Sequence, residues 1–528
     1  MISYNANAQA ESAAKVVWGK KYNYQSGLSI NEKTILDSNN KLYVIRVSEN
    51  QLNSKNNKIV IESYNPNLKL INAEKISLKF KGKHREFIDV IIQNDTLWML
   101  TAFYNQRENI KYFFKEKINS KKLTLSNKLE KIAEIKTSDK YQNDVIFSYI
   151  TSKDSSKTLI VVQENHEKNY NLTVLDRQNR EIWYKDCLML EDKNEIIPYL
   201  FKVSNDGVVY SLNAVVTKES KNYLGLIRKV QSFTNRKNLF LAFKNNGTIV
   251  NKIEIASDQY AFSNLSFGIV NKEEVALAGM YGIDRGRDNF FVEGICYLRY
   301  NINNGENIVT SFVKQQFNYA KTSSNYNSNT SWRSSQNESM LYNGFQTKEL
   351  ITRNDGGVLF IAEQMFVEYV STTPYSNFGY YNSPYYYSNT VDNYYYNFND
   401  IIVCNISPEG NLDWKTVIPK KQSTSNDNGY FSSFAFINAK NKLYFVYNDN
   451  VNNLNSNQKK RTFDNANNSL LVLSEIDREG ILKSSPLLYS KEEKITIIPN
   501  ACKQIGSKEL LLYGEHKNVF QFGIMSVD

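Results

Sequence analysis

Asn354-Asp355-Gly356-Gly357-Val358-Leu359-Phe360-Ile361-Ala362-Glu363 couples a tight polar turn to an unbroken apolar run that ends on a carboxylate. Asn and Asp tolerate left-handed backbone angles and Gly takes them freely. This string between apolar runs is therefore a hairpin signal with a physical mechanism. The same run recurs along the chain. Lys41 leads LYVIRV, Thr96 LWMLTA, Thr158 LIVVQE and Gly207 VVYSLN. Glu274 then leads VALAGM, Gly357 VLFIAE, Lys442 LYFVYN and Glu509 LLLYGE, at intervals of 49 to 85 residues.

Working outward, an apolar run precedes each turn, as in Val90-Ile91-Ile92 and Ile495-Thr496-Ile497-Ile498. Two more follow. Leu172 to Leu175, a turn at Asp176 to Asn179, then Ile182 to Lys185 is the clearest pair. Ile401 to Cys404, Pro408 to Asn411, then Asp413 to Val417 repeats it. Four antiparallel strands per unit, repeated radially, is the plan of a β-propeller. Blades stacked on both faces explain strands that are apolar on both sides. The expected fold is all-β: one propeller over residues 11–528 with eight four-stranded blades. Seven is the rival count, because the insert from Lys218 to Lys237 obscures unit four. Helical periodicity is nearly absent, and Leu123 to Ile135 is the one ambiguous segment. The last unit stops one strand short. Lys15-Val16-Val17-Trp18-Gly19-Lys20-Lys21-Tyr22 resembles the outer strands and is expected to complete it, leaving no open edge at the seam.

Two long insertions interrupt the repeat. Residues 316–346 are rich in Ser, Asn and Thr. Residues 369–400 contain Tyr385-Tyr386-Tyr387 and Tyr394-Tyr395-Tyr396 and fall between the second and third strands of blade six, so they are expected to project from one rim. Tyrosine offers flat apolar area with a polar tip at low entropy cost, which suits protein interfaces and sugar stacking. Tyr375, Tyr380, Tyr381, Tyr385, Tyr386, Tyr387, Tyr394, Tyr395 and Tyr396 are the candidate partner-binding residues. Glu164, Glu363 and Glu515 end three of the stacked strands, with Gln163 and Gln364 beside them, and are channel-face candidates. Two carboxyls within about 5–10 Å would suit glycoside chemistry.

Composition bounds the rest. Of 528 residues, 64 are Lys or Arg and 54 Asp or Glu, for a net charge of +10, and only 3 are His. The charge is spread along the chain. Short basic pieces such as Lys79 to Arg85 and Lys459 to Arg461 read as solvated turns, without the dense basic stripe of a nucleic-acid face. His84, His166 and His516 stand alone. Zincin, nucleophile-elbow, P-loop and dinucleotide strings are all missing, so no catalytic residue, metal ligand or cofactor is expected. Asn448 to Asn453 reads as an Asn-rich turn, since it lacks the Gly and Glu of a calcium loop. Cys187, Cys296, Cys404 and Cys502 are far apart, follow no metal or redox spacing, and read as buried free thiols.

No stretch reaches the roughly 18 apolar residues of a spanning helix. Ala8-Gln9-Ala10 has the form of a signal-peptidase site. Residues 1–10 read as a leader remnant or a disordered end, with Met1 an internal start. The expected location is outside the cytoplasm, periplasmic or at the cell surface.

The Asn-Asp-Gly-Gly turn, the strand Ala276-Leu277-Ala278-Gly279-Met280-Tyr281-Gly282 and the pair ending in Asp413-Trp414-Lys415 resemble large, uncharacterised bacterial propeller-like proteins of the cell envelope. That resemblance covers most of the chain and carries no site residues across. It implies an envelope protein with a binding or scaffold role and a protein partner. A glycan-binding or glycoside-active propeller is the alternative.

Overall fold

The computed structural model describes residues 14–23, 30–47, 58–166, 168–191, 194–216, 234–235, 237–244, 246–284, 290–315, 344–372, 391–453, 460–464 and 466–527. The polar turns do what their residues dictate. Asn94 and Asp95 both take positive φ between paired Gln93 and Thr96, and Lys440 and Asn441 do the same between Ala439 and Lys442. Two left-handed residues match the right-handed twist of the strands they join.

Around these turns the chain builds eight antiparallel blades. Blade one comprises Ile30–Leu36, Leu42–Val47, Ile59–Tyr64 and Leu70–Ile76. Blade two comprises Glu86–Gln93, Thr96–Asn105, Ile110–Ile118 and Leu125–Lys136; blade three, Ile146–Thr151, Lys157–Glu164, Asn169–Asp176 and Glu181–Leu188. Blade four comprises Asn194–Val203, Val209–Val216, Lys237–Phe243 and Ile249–Ala256; blade five, Ala261–Ile269, Glu274–Asp284, Phe290–Asn301 and Asn307–Lys314. Blade six comprises Phe345–Thr352, Val358–Thr372, Val391–Ile406 and Leu412–Ile418; blade seven, Ala435–Ala439, Lys442–Asn450, Ser469–Ile476 and Leu482–Tyr489. Blade eight takes Thr496–Ile497, Glu509–His516 and Val519–Val527, with Ala14–Asn23 as its outermost strand.

The expected closure is present. Ala14 pairs with Val527 and Asn23 with Val519 across one antiparallel ladder. Unit four is a regular blade, since Val209 pairs with Phe243 and Ala214 with Asn238 on either side of the insert. The count is therefore eight. The ambiguous Leu123 to Ile135 segment is the strand Leu125–Lys136. Its register slips between Phe113 and Phe114 and again between Glu116 and Ile118, which breaks the period-two alternation that marks a strand.

Eight apolar clusters hold the ring, one at each junction between neighbouring blades. At the seam, Leu42, Val44 and Tyr64 of blade one pack on Leu511, Tyr513 and Phe522 of blade eight. Second strands are sandwiched between neighbours and are apolar on both faces, as in Leu42–Val47. Fourth strands are outermost and alternate, as in Glu181–Leu188. The four cysteines are free thiols, Cys296 and Cys404 fully buried.

The topology makes the two rims unequal. Turns from first to second strand and from third to fourth emerge on one rim, and they are short except in blade eight, where residues 498–508 join the first strand to the second. Gly480 packs so closely on Trp414 that an added Cβ would lie 2.6 Å from the indole, while Trp414 Nε1 donates to the Arg478 carbonyl at 2.8 Å. Connections from second to third strand, and from blade to blade, emerge on the other rim. That rim receives both long insertions.

Candidate functional site

Each second strand runs toward the elaborated rim, so the residue ending its apolar run lies beneath that rim. Glu164, Glu363 and Glu515 occupy this position in blades three, six and eight. Burial accompanies the position: Glu164 and Glu363 are 0% exposed and Glu515 9%. A buried carboxylate requires partners, and each glutamate has its own set.

Glu363 lies between two lysines. Its Oε1 is 2.7 Å from Lys420 Nζ and its Oε2 2.9 Å from Lys348 Nζ. Ser433 Oγ donates to Oε2 at 2.7 Å. Lys420 Nζ also donates to the Phe398 carbonyl at 3.1 Å and to Gln422 Oε1 at 2.9 Å. Gln422 returns an amide hydrogen to the Asn448 carbonyl at 2.7 Å and accepts from the Ser433 N–H at 2.8 Å. Burial works against the Glu363 charge, but Lys420 and Lys348 outweigh it and hold the carboxyl below its usual range. Burial also lowers Lys420, against the pull of Glu363.

Glu515 sits at the seam. Its Oε1 accepts from Tyr513 OH at 2.5 Å and from Tyr430 OH at 3.0 Å. Burial pushes its carboxyl up to about 8. Behind it, Arg46 Nη1 donates to Tyr513 OH at 3.2 Å, and Arg46 Nε donates to Glu62 Oε2 at 2.9 Å. Tyr64 OH donates to the same Glu62 oxygen at 2.7 Å. The Arg46 guanidinium lies 4.0 Å from the Phe520 ring centre. Glu164 accepts from Thr137 Oγ1 at 3.5 Å.

The three carboxylates therefore belong to separate networks. One segment, Asn426 to Phe434, touches two of them: Tyr430 bonds Glu515 and Ser433 bonds Glu363. Ser433 takes a left-handed φ of 72°, which points to backbone held in place by its surroundings. Asn448, next to that segment, donates to the Phe431 and Ile497 carbonyls at 2.8 and 2.7 Å. Asn448 to Asn453 is thus closed on itself and its neighbours, with Asn453 Nδ2 donating to Asp449 Oδ1 at 2.7 Å.

These networks fasten the base of a long ribbon. In blade six the second and third strands run 15 and 16 residues and stay paired from Val358↔Ile406 out to Thr372↔Val391. The ladder beyond Glu363, out to Thr372, adds about 30 Å at ~3.3 Å per residue. A further strand, Gln422–Ser425, pairs with Tyr395 to Phe398. Tyr394, Tyr395 and Tyr396 lie in this ribbon. The Asn426 N–H donates to the Tyr394 carbonyl and the Tyr394 N–H to Asn426 Oδ1, both at 2.9 Å, and Tyr396 OH donates to Asn428 Oδ1 at 2.6 Å. Tyr394 is exposed. Tyr375, Tyr380, Tyr381, Tyr385, Tyr386 and Tyr387 lie outside the described residues.

Sequence reasoning missed Lys420, Gln422, Ser433 and the Arg46–Glu62 pair. The one signal available was the pair Lys420-Lys421 after a strand end, which ordinarily means solvent. His166 does not stand alone: its Nε2 is 3.1 Å from Asp144 Oδ2 and its ring stacks on Tyr141 at 3.6 Å. Among the described residues no group of three His, Cys, Asp or Glu is placed to hold a metal, and no helix is long and apolar enough to cross a membrane.

No family model and no curated protein matches the chain. Solved structures similar to it include the β-propeller domain of the Trilobed protease from Pyrococcus furiosus, 10% identical over 83% of this chain and 93% of that one, with a TM-score of 0.33. The periplasmic gluconolactonase PpgL of Pseudomonas aeruginosa is 10% identical over 73% and 84%, with a TM-score of 0.32. Oligopeptidase B from Leishmania major is 8% identical over 79% of this chain, with a TM-score of 0.35, and this chain spans 45% of its length. The first of these is a propeller domain and the second a periplasmic protein. The fold assignment rests on the blades themselves.

Proposed function

We propose that the protein is a non-enzymatic binding or scaffold propeller of the cell envelope that holds a protein partner on its elaborated rim. The ribbon of blade six, together with the tyrosine-rich residues 373–390 that lie between its two strands in sequence, is the contact element. The observation that carries this reading is the anchoring of the ribbon. Glu363, Lys420, Gln422 and Ser433 tie its base to blade seven, and a third strand widens it. A rigid presented element lowers the entropy cost of binding. An exported location fits this reading.

The test shortens the ribbon without cutting its ladder. Thr372 and Val391 are directly paired, so replacing residues 373–390 with Asn-Gly closes the hairpin with a two-residue turn. Tagged native and shortened proteins are compared by affinity purification from envelope extracts. A partner recovered with the native protein and lost with the shortened one is the expected result. Recovery of identical proteins by both would refute the ribbon's role.

A second reading, glycan-active propeller, draws on the opposed environments of Glu363 and Glu515. Lys420 and Lys348 hold one carboxyl below its usual range and burial raises the other to about 8, a contrast in acidity of the kind acid–base chemistry uses. A glycan array and a hydrolase panel that show neither binding nor turnover would remove it.

A further inference from the structure

Between blades one and two the chain forms a small projection on the same rim. Lys79–Phe80 pairs with Lys83–His84 as a two-stranded hairpin. Its turn, Lys81-Gly82, has φ values of 46° and 82°, a two-residue turn of the left-handed kind. A Cβ built on Gly82 meets nothing within 4 Å, so the tip stands clear of the molecule. Lys79, Lys81, Lys83 and His84 are all exposed.

The hairpin is held firmly at its root. Arg85 is 4% exposed; its Nη1 lies 2.9 Å from Glu116 Oε2 and donates to Thr101 Oγ1 at 3.2 Å. The Arg85 N–H donates to the Leu78 carbonyl at 3.1 Å. Lys83 Nζ lies 4.9 Å from the Phe103 ring centre, so the hairpin leans on blade two.

The charges on the hairpin are uncompensated among the described residues. The nearby carboxylates are engaged elsewhere: Glu86 with Lys111 at 2.8 Å, Asp89 with Lys33 at 2.5 Å, and Glu116 with Arg85. Three ammonium groups on an ordered hairpin, repelling one another without a counter-charge, lower the free energy of any polyanion that reaches them.

The chemistry selects among polyanions. The exposed cations are lysines, point charges without the planar fork that grips phosphate in two places. Phe80 is only half-exposed and lies against Arg85, 5.7 Å from its guanidinium, so it offers no open platform for base stacking. No apolar wedge crowns the tip for insertion into lipid. We infer that the hairpin Lys79–His84 is a binding element for a linear anionic polysaccharide, carboxylated or sulfated, held by diffuse charge. It acts independently of the blade-six ribbon.

The experiment measures retention of the full chain on immobilised heparin and on alginate beads as salt is raised. The comparison is K79Q/K81Q/K83Q, with thermal melting as the check on folding. These side chains are exposed, so the variant is expected to melt as the native protein does. Native protein is expected to bind at low salt, weakening steeply as ionic strength rises. The variant is expected to bind about tenfold more weakly, as three exposed charge contacts together imply. A further variant, K121Q/K122Q/K128Q, alters exposed lysines elsewhere and is expected to retain native affinity. Equal loss in both variants would mean that net charge alone acts and would overturn the assignment. So would unchanged binding in the hairpin variant, or no binding by the native protein. Tighter binding to phosphatidylcholine–phosphatidylglycerol vesicles or to single-stranded DNA than to either glycan would overturn the ligand class.

Discussion

Glu515 carries a proton under conditions in which an exposed glutamate has lost it. Its folded value of about 8 lies far above the ordinary 4.5. Between these values the folded protein binds a proton that the unfolded chain has released. Stability contributed by this group is therefore present in full below about pH 4.5 and falls as pH rises toward 8. Glu515→Gln keeps an acceptor for Tyr513 and Tyr430 and abolishes the titration. Its expected effect is a gain on the order of 2 kcal/mol at pH 9 and little change at pH 5. That gain is well under the ceiling set by ~1.4 kcal/mol for each tenfold change in proton affinity. Urea unfolding of both proteins at the two pH values measures it; an equal effect at both would exclude titration as the cause. The glutamate itself was legible in the sequence because it ends a stacked strand. Its companions were not. Tyr430 comes from the connection between blades six and seven, and Arg46 reaches Tyr513, which bonds Glu515, only because the ring closes. Pairings that depend on closure leave no local pattern. Lys420 was hidden for a different reason: it lies just past the fourth strand of blade six, and its 2.7 Å contact with Glu363 of the second strand spans a long stretch of chain.

At the scale of elements, the outermost strand of blade eight is the one supplied from the other end of the chain. It was legible from its likeness to other fourth strands, a Trp followed by Lys, and from the missing strand at the C-terminus. The Trp18 ring packs against Gly523, where an added Cβ would lie 2.6 Å away, so the pairing is fitted as well as hydrogen-bonded. Gln521 Nε2 adds a bond to the Gly19 carbonyl at 2.7 Å. Removing residues 14–23 would leave Val519–Val527 as an open edge, a template for pairing between molecules. The expected outcome is a lower melting temperature together with concentration-dependent aggregation, read by scanning calorimetry and light scattering. A truncated chain that stays monomeric and melts as before would show that the strand is dispensable. The blade-six ribbon was less legible. Its tyrosines announced an unusual segment, but composition alone did not distinguish a loop from a ladder. The pairing of Tyr369 with Tyr394 and the added strand Gln422–Ser425 come from register, which the sequence does not display.

Across the whole molecule, stability is shared among eight interfaces that each resemble the next. The repeat was legible because every second strand must be apolar on both faces to sit between two neighbours. The count was harder to read, because inserts stretch the period without altering the blades. A closed ring makes a specific thermodynamic claim. Phe522 belongs to the seam between blades eight and one, and Phe360 to the junction of blades five and six. Both are at most 1% exposed, so replacing either with Ala removes about 3–5 kcal/mol of burial and packing. If the seam is an interface like the others, each variant shifts a single unfolding transition. Their effects should also add to within about 0.5 kcal/mol, since the two sites share no partner. If instead the seam opens on its own, Phe522→Ala should split the transition. A low-temperature step would then appear, leaving the main melt in place, while Phe360→Ala would shift the main melt alone. Calorimetry of the two single variants and the double variant separates these cases. One additive transition is the expected result, because Arg46, Tyr513 and Glu515 tie the seam with buried polar bonds in addition to its apolar cluster.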